Sequence, residues 1–246
     1  MIGRIAGACM PSSSPAEWLH PGATALLLVD LQQGTCGDAQ PRPDADFDRR
    51  FRATTLPNAQ RVLAAARRGG LEVIHTVIAN LTADGRDRSL DYKRCGMGFR
   101  PGSRAAEVIA ELAPLADELV LPKSSSSPFS STVLDYLLRN LGIRNLVVIG
   151  LLTDQCIDHT VKDAADRGYR VVCVTDACQA VTPERHAAAL ACFAGYGAQI
   201  SSGEFVAELD LAVSGEPRRG GFLSSSAVLG ADLKADFAAE IDSLFG

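Results

Sequence analysis

The chain has 246 residues, enough to bury a large core without disulfides and a length that suits one sizeable α/β domain. Hydrophobic residues make up 47% and charged residues 22%, the balance of a globular protein rather than a disordered one. A net charge of −5 and a pI near 5.4 argue against nucleic acid or an anionic membrane as partner, because both reward basic patches.

The 7 cysteines stand at 9, 36, 95, 156, 173, 178 and 192, scattered and odd in number. No CxxC pair occurs, so neither a zinc knuckle nor a thioredoxin-like motif is supported. Reduced thiols in a cytoplasmic protein are expected. The opening MIGRIAGACMPSSSPAEW has a short apolar patch without a secretory core, and no apolar run reaches the roughly 18–20 residues of a membrane span.

Residues 1–22, rich in Pro, Ser and Gly, read as an N-terminal arm. TALLLVD (24–30) is a continuous apolar run ending in an acid, the pattern of a strand buried on both faces. Before the next helix, Arg49-Arg50-Phe51-Arg52 reads as a solvated helix start. PNAQRVLAAARRG (57–69) has helical spacing and stops at Gly69-Gly70. LEVIHTVI (71–78) is a second strand, followed by a charged loop over 81–102. Then come a helix (103–113), a strand (118–122), a helix (130–141), a strand (144–150), a helix around 155–168, a strand (170–177), a helix (183–197) and a short last strand, AQISS. This alternation predicts a three-layer α/β/α domain over 23–213, Rossmann-like, around a mostly parallel six-stranded sheet. Residues 214–246 read as a linker and an amphipathic helix (228–245), expected to pack on a neighbouring part of the protomer or on another subunit.

Ligands of open parallel sheets sit beyond the carboxyl ends of the strands. The first strand ends at Asp30, the strand at 118–122 runs into Lys123 and four serines, and the strand at 144–150 leads through a short loop to Cys156. The topology permits an acid, a base and a thiol to meet. Each also has a plainer reading: Asp30 as a turn residue, Lys123 as a solvated surface group, Cys156 as a small buried hydrophobe.

Three segments carry a family likeness: VDLQQG (29–34), PKSSSSPFSSTVLDYLLRNLGI (122–143) and LVVIGLLTDQCIDHTVKDAADRGYRVVCVTDA (146–177). They resemble the isochorismatase-like cysteine hydrolases, which include nicotinamidases and N-carbamoylsarcosine and ureidoacrylate amidohydrolases. The resemblance implies a catalytic triad of Asp30, Lys123 and Cys156, and a non-proline cis peptide between Leu151 and Leu152. It also implies an oxyanion hole built from the backbone N–H groups of Leu152 and Cys156. The implied reaction is hydrolysis of a C–N amide bond through a thioester, on a small amide or ureido substrate. An adjacent ammonium and a helix start favour a thiolate, so a Cys156 reactive near pH 7 is expected.

Nicotinamidases of this family usually carry an Asp-x-His metal site soon after the first Asp, and LQQGTCGDAQPRPDAD has no histidine. No metal and no cofactor are expected, and the family likeness implies a homodimer or homotetramer. His75 reads as a packed residue and His159 as one on a helix face. Gln32 is positioned to offer its amide to a substrate, and Arg86, Arg88 or Tyr92 of the long loop to meet a carboxylate or ureido group. Phe129 fits either the pocket or the core, and Asp154 either the pocket or a helix cap. Against these stands a non-catalytic protein that binds a partner or senses oxidation through Cys156.

Overall fold

Alternation along the first strand sets the layering. In the computed structural model, which describes residues 19–39 and 44–214, β1 (Thr24–Val29) is buried from end to end. Leu26 and Leu28 enter one core; Ala25, Leu27 and Val29 enter the other. A strand apolar on both faces requires helices on both faces. One core is closed by α2 (Leu56–Arg68) and α8 (Ser202–Ser214), through residues such as Val62, Ala66, Phe205 and Leu209. The other is closed by α5 (Leu134–Asn140), α6 (Asp158–Asp166) and α7 (Pro183–Phe193), through Leu138, Val161 and Phe193.

The remaining strands are β2 (Glu72–Ile78), β3 (Leu119–Lys123), β4 (Asn145–Leu151), β5 (Arg170–Gln179) and β6 (Ala198–Ile200). They form one sheet in the order β3-β2-β1-β4-β5-β6, with every pairing parallel. Pro122 cannot donate to a ladder and is accommodated because β3 is an edge strand. The chain winds outward from β1 in one direction and then, from β4, in the other. A crevice therefore opens between the carboxyl ends of β1 and β4.

Several elements differ from the sequence reading. The basic Arg49–Arg52 cluster does not open a helix but closes α1 (Ala45–Arg50), which runs through a π turn (Phe51–Thr55) into α2. Nor is it simply solvated: Phe51 is buried and stacks on Phe47, because aromatic contact with the core outweighs the charge of its neighbours. The expected helix over 103–113 is replaced by two short 3-10 turns, Arg104–Ala106 and Ala110–Leu112. Between them Val108 bridges to Gln32, and that pairing takes the backbone groups a helix would use. The helix expected over 130–141 is split into α4 (Pro128–Ser131) and α5, and the loop at 81–102 contains α3 (Leu90–Cys95). The expected linker and helix over 214–246 lie outside the described residues apart from Ser214, which ends α8.

Gly150 lets β4 approach β1 at the crevice. Its φ is +128°, and a Cβ there would stand 2.1 Å from the carbonyl oxygen of Val29. Gly150→Ala should cost about 3 kcal/mol, read as a lower urea midpoint at unchanged m-value. A loss below about 1 kcal/mol would show that the two strands can separate without penalty.

Candidate active site

The residue after β1 decides how the site is built. Asp30 has φ +57°, a left-handed conformation that few residues other than glycine, asparagine and aspartate adopt without marked strain. Its backbone is held there by hydrogen bonds from its N–H to the Thr76 carbonyl (3.0 Å) and from the Thr35 hydroxyl to its own carbonyl (2.6 Å). The carboxylate forms an ion pair with Lys123 at the end of β3, Nζ to Oδ2 2.9 Å, and accepts from the Thr76 hydroxyl at 3.2 Å. Side-chain exposure is 1% for Asp30 and 0% for Lys123, so each charge has only the other and its hydrogen bonds in place of water.

The third group arrives from β4. The peptide bond between Leu151 and Leu152 is cis, and the chain then makes a π turn (Thr153–Ile157) that runs into α6. This places Cys156 at the start of the helical run, with its Sγ 3.4 Å from Lys123 Nζ. The Lys123 ammonium also donates to the carbonyl of Ser125 and to the Tyr92 hydroxyl, both at 3.0 Å. The serine run after β3 has structural work as well: Ser127 caps α4 and bonds Asp163, and Ser125 bonds Ser131 at 2.8 Å. Asp30, Lys123 and Cys156 are thus brought together from the carboxyl ends of three strands.

Burial raises the Asp30 carboxyl above the usual carboxylate value despite the opposing pull of Lys123. Burial alone would weaken the Lys123 ammonium, but the charges of Asp30 and Cys156 reverse that and strengthen its hold on the proton. Burial, and then the Asp30 charge, push the Cys156 thiol up to about 11, with Lys123 opposing. The helix start and the ammonium are expected to favour the anion and make Cys156 reactive near pH 7, but enclosing the sulfur outweighs the neighbouring ammonium. The resting site holds a thiol beside a carboxylate with raised proton affinity, an arrangement suited to passing one proton between them.

The Isochorismatase domain family model matches residues 24–205 of this chain. The chain belongs to the isochorismatase family. Ureidoacrylate amidohydrolase RutB of Variovorax paradoxus (strain S110) is 31% identical over 194 residues, which is 71% of this chain and 77% of that relative. Ureidoacrylate amidohydrolase RutB of Pantoea ananatis (strain LMG 20103) is 33% identical over 180 residues, 67% of this chain and 72% of that protein. Among solved structures, N-carbamoylsarcosine amidase from Thermoplasma acidophilum superposes with a TM-score of 0.60 at 29% identity, covering 73% of this chain and 96% of the other. A cysteine hydrolase from Pseudomonas syringae pv. phaseolicola 1448A has the same fold, with a TM-score of 0.70 at 24% identity over 82% of this chain and 100% of that one.

In this isochorismatase-family chain the cluster forms the floor of a cavity of about 630 Å³. Asp30, Tyr92 and Cys156 border it, as do Leu152, Asp154 and His159; Phe47, Met97 and Phe99 supply apolar wall. Asp154 does not cap a helix; its carboxylate pairs with Arg185 at 2.5 Å. The expectation for Gln32 is corrected. Its Nε2 donates to the carbonyls of Ile78 (3.0 Å) and Ala105 (2.8 Å) while its Oε1 accepts from the Ile78 N–H, so its amide ties the loop to β2 and is not offered to a ligand. Arg86 and Arg88 are corrected too. Arg86 is exposed and paired with Asp84, and Arg88 donates to the carbonyls of Gly85 and Met97, both at 3.0 Å. Phe129 belongs to the core, packed against Tyr169 with ring centroids 5.9 Å apart. His75 is buried beside Glu118 and does not line the cavity. Of the loop residues only Tyr92 reaches the cluster, and nothing in its sequence spacing distinguishes it from its neighbours.

Two outcomes follow from the buried charges. Lys123→Met should destabilise the fold by about 3–5 kcal/mol in denaturant titrations, and adding Asp30→Asn should recover part of that loss, since the first change leaves a buried carboxylate alone. If the double variant is as unstable as the sum of the singles, the two charges are not coupled. For Cys156, a raised pKa means that the reactive anion grows as pH rises. Pulse labelling with iodoacetamide, followed on the Cys156 peptide by mass spectrometry, should accelerate about tenfold per pH unit from pH 7 toward 10. A rate already flat at pH 7 would mean a resting thiolate.

Proposed function

We propose that the protein is a cysteine-dependent amidohydrolase that cleaves a C–N bond of a small molecule through a thioester acyl-enzyme. It is a hydrolase of carbon–nitrogen bonds other than peptide bonds, and its candidate substrates are ureido or N-carbamoyl compounds, linear amides and lactams. The reading is carried by one observation: Cys156 Sγ lies against the Asp30–Lys123 ion pair on the floor of a cavity large enough for a small molecule.

In this mechanism Asp30 accepts the thiol proton as the sulfur attacks the amide carbonyl, and Lys123 holds the carboxylate in place and offsets the charge on sulfur. The tetrahedral oxyanion faces the backbone N–H groups of Leu152 and Cys156, both of which border the cavity. Collapse breaks the C–N bond, Asp30 returns the proton to the departing nitrogen, and a thioester remains. Water then attacks the thioester with Asp30 as base, releasing the acid or carbamate and restoring the thiol. The ureidoacrylate amidohydrolases and the N-carbamoylsarcosine amidase among the relatives support placing ureido and N-carbamoyl compounds first in a screen.

The test is a screen for ammonia release across amides and ureides, with mass spectrometry to detect ring opening of lactams. On any substrate found, Cys156→Ala should lower kcat/KM by about a thousandfold or more. Near-native activity of that variant would end the thioester mechanism.

A further inference from the structure

Tyr92 is a buried phenol beside the reacting sulfur, and the structure commits considerable architecture to placing it there. The Asp87 carboxylate gathers the loop by accepting from the N–H groups of Leu81 (2.8 Å) and Thr82 (3.1 Å), and these bonds hold its pKa down to about 2 despite partial burial. Ser124, next to Lys123, bonds the loop twice: its hydroxyl donates to the Asp87 carbonyl at 3.2 Å and its carbonyl accepts from the Ser89 N–H at 2.9 Å. α3 then starts, and Tyr92 packs with Ile78 and Phe99 at 4% exposure.

The hydrogen-bond directions can be assigned from donor inventory. An ammonium has three protons and accepts nothing. Around Lys123 Nζ the three closest acceptors are Asp30 Oδ2 at 2.9 Å and the Ser125 carbonyl and Tyr92 hydroxyl oxygens, both at 3.0 Å. Hydrogen-bond geometry is met to the Ser125 and Tyr92 oxygens and to Cys156 Sγ at 3.4 Å, while Asp30 Oδ2 is the ion-pair partner. Three protons are thus shared among four neighbours, and the sulfur receives only a long hydrogen bond from the ammonium. Because the Tyr92 oxygen accepts from Lys123, its own proton is free to point elsewhere, and Cys156 Sγ lies 3.5 Å away. Burial and the nearby Cys156 and Asp30 raise this phenol's pKa above its ordinary value, so it holds its proton more firmly than a free tyrosine.

We propose that Tyr92 is a further catalytic residue: its O–H donates to Cys156 Sγ and supports the sulfur anion when the thiol proton passes to Asp30. The role rests on the reading of Cys156 as nucleophile. The phenol proton does not leave oxygen. It supplies a second hydrogen bond to the sulfur beside the long one from Lys123, and that bond loosens as the sulfur loses its charge to the carbonyl carbon. Tyr92 is therefore assigned to forming the nucleophile rather than to reading the substrate.

The experiment is the pH profile of Cys156 alkylation by iodoacetamide in Tyr92→Phe, which keeps the ring against Ile78 and Phe99 and removes the donor. The profile should move up by about one pH unit, a tenfold loss of anion at a given pH, and kcat on an identified substrate should fall about tenfold with little change in KM. Replacing Tyr92 site-specifically by 3-fluorotyrosine, nearly isosteric and a stronger donor, should move the alkylation profile the other way. This second variant decides the matter if the phenylalanine form does not fold. A profile unmoved by the replacement, or moved opposite to the expected direction, overturns the proposal. Failure of the thioester mechanism is read separately, from activity retained by Cys156→Ala, whereas the alkylation profile needs no substrate.

Discussion

The buried ion pair between Asp30 and Lys123 governs the rest of the site. Two charges enclosed this fully are tolerable only while they remain together and hydrogen-bonded, because separating either from its partner leaves a charge with neither counter-ion nor water. That requirement accounts for much of the surrounding structure. It joins the ends of β1 and β3 across the intervening β2, and recruits the Ser125 carbonyl and the Tyr92 hydroxyl to the shell of Lys123.

The same enclosure shapes the chemistry. A thiol set beside an exposed lysine would lose its proton more easily, whereas Cys156 is covered and also faces a carboxylate, so it keeps its proton until another group takes it. Asp30 is suited to take it because burial has raised its own proton affinity. The cavity above the sulfur has apolar wall from Phe47, Met97 and Phe99, and low-dielectric wall of this kind strengthens electrostatic contacts beside it.

Much of this was legible in the sequence because it depends on local pattern. A parallel strand covered on both faces is written as an unbroken apolar run, and such runs identify β1, β2, β4 and β5. Polar residues that follow parallel strands gather at one edge of the sheet, which made Asp30 after β1, Lys123 at the end of β3 and Cys156 in the loop after β4 visible as a possible group. The elements that were misread depend on partners far away in sequence. Residues 103–113 have helix-forming composition, but Val108 bridges to Gln32 and the Ala105 carbonyl accepts from the Gln32 side chain, and those contacts break the helix into turns. Gln32 itself looks like a free amide beside the acid until Ile78 and Ala105 are brought against it.

The sequence by itself determined the layered α/β class and which polar residues stand at the strand ends, since periodicity and residue chemistry are local properties; the grouping of Asp30, Lys123 and Cys156 as a triad rested on the family resemblance. Only the tertiary structure decided how deeply Cys156 is enclosed, which pushes its pKa up, and which loop residue joins it. Arg86, Arg88 and Tyr92 are equally polar candidates on paper. Closure of the loop through Asp87 and Ser124 turns the two arginines toward solvent or backbone carbonyls and buries the phenol against the sulfur. Burial and hydrogen-bond direction come from the summed geometry of distant segments, and no stretch of the chain encodes them alone.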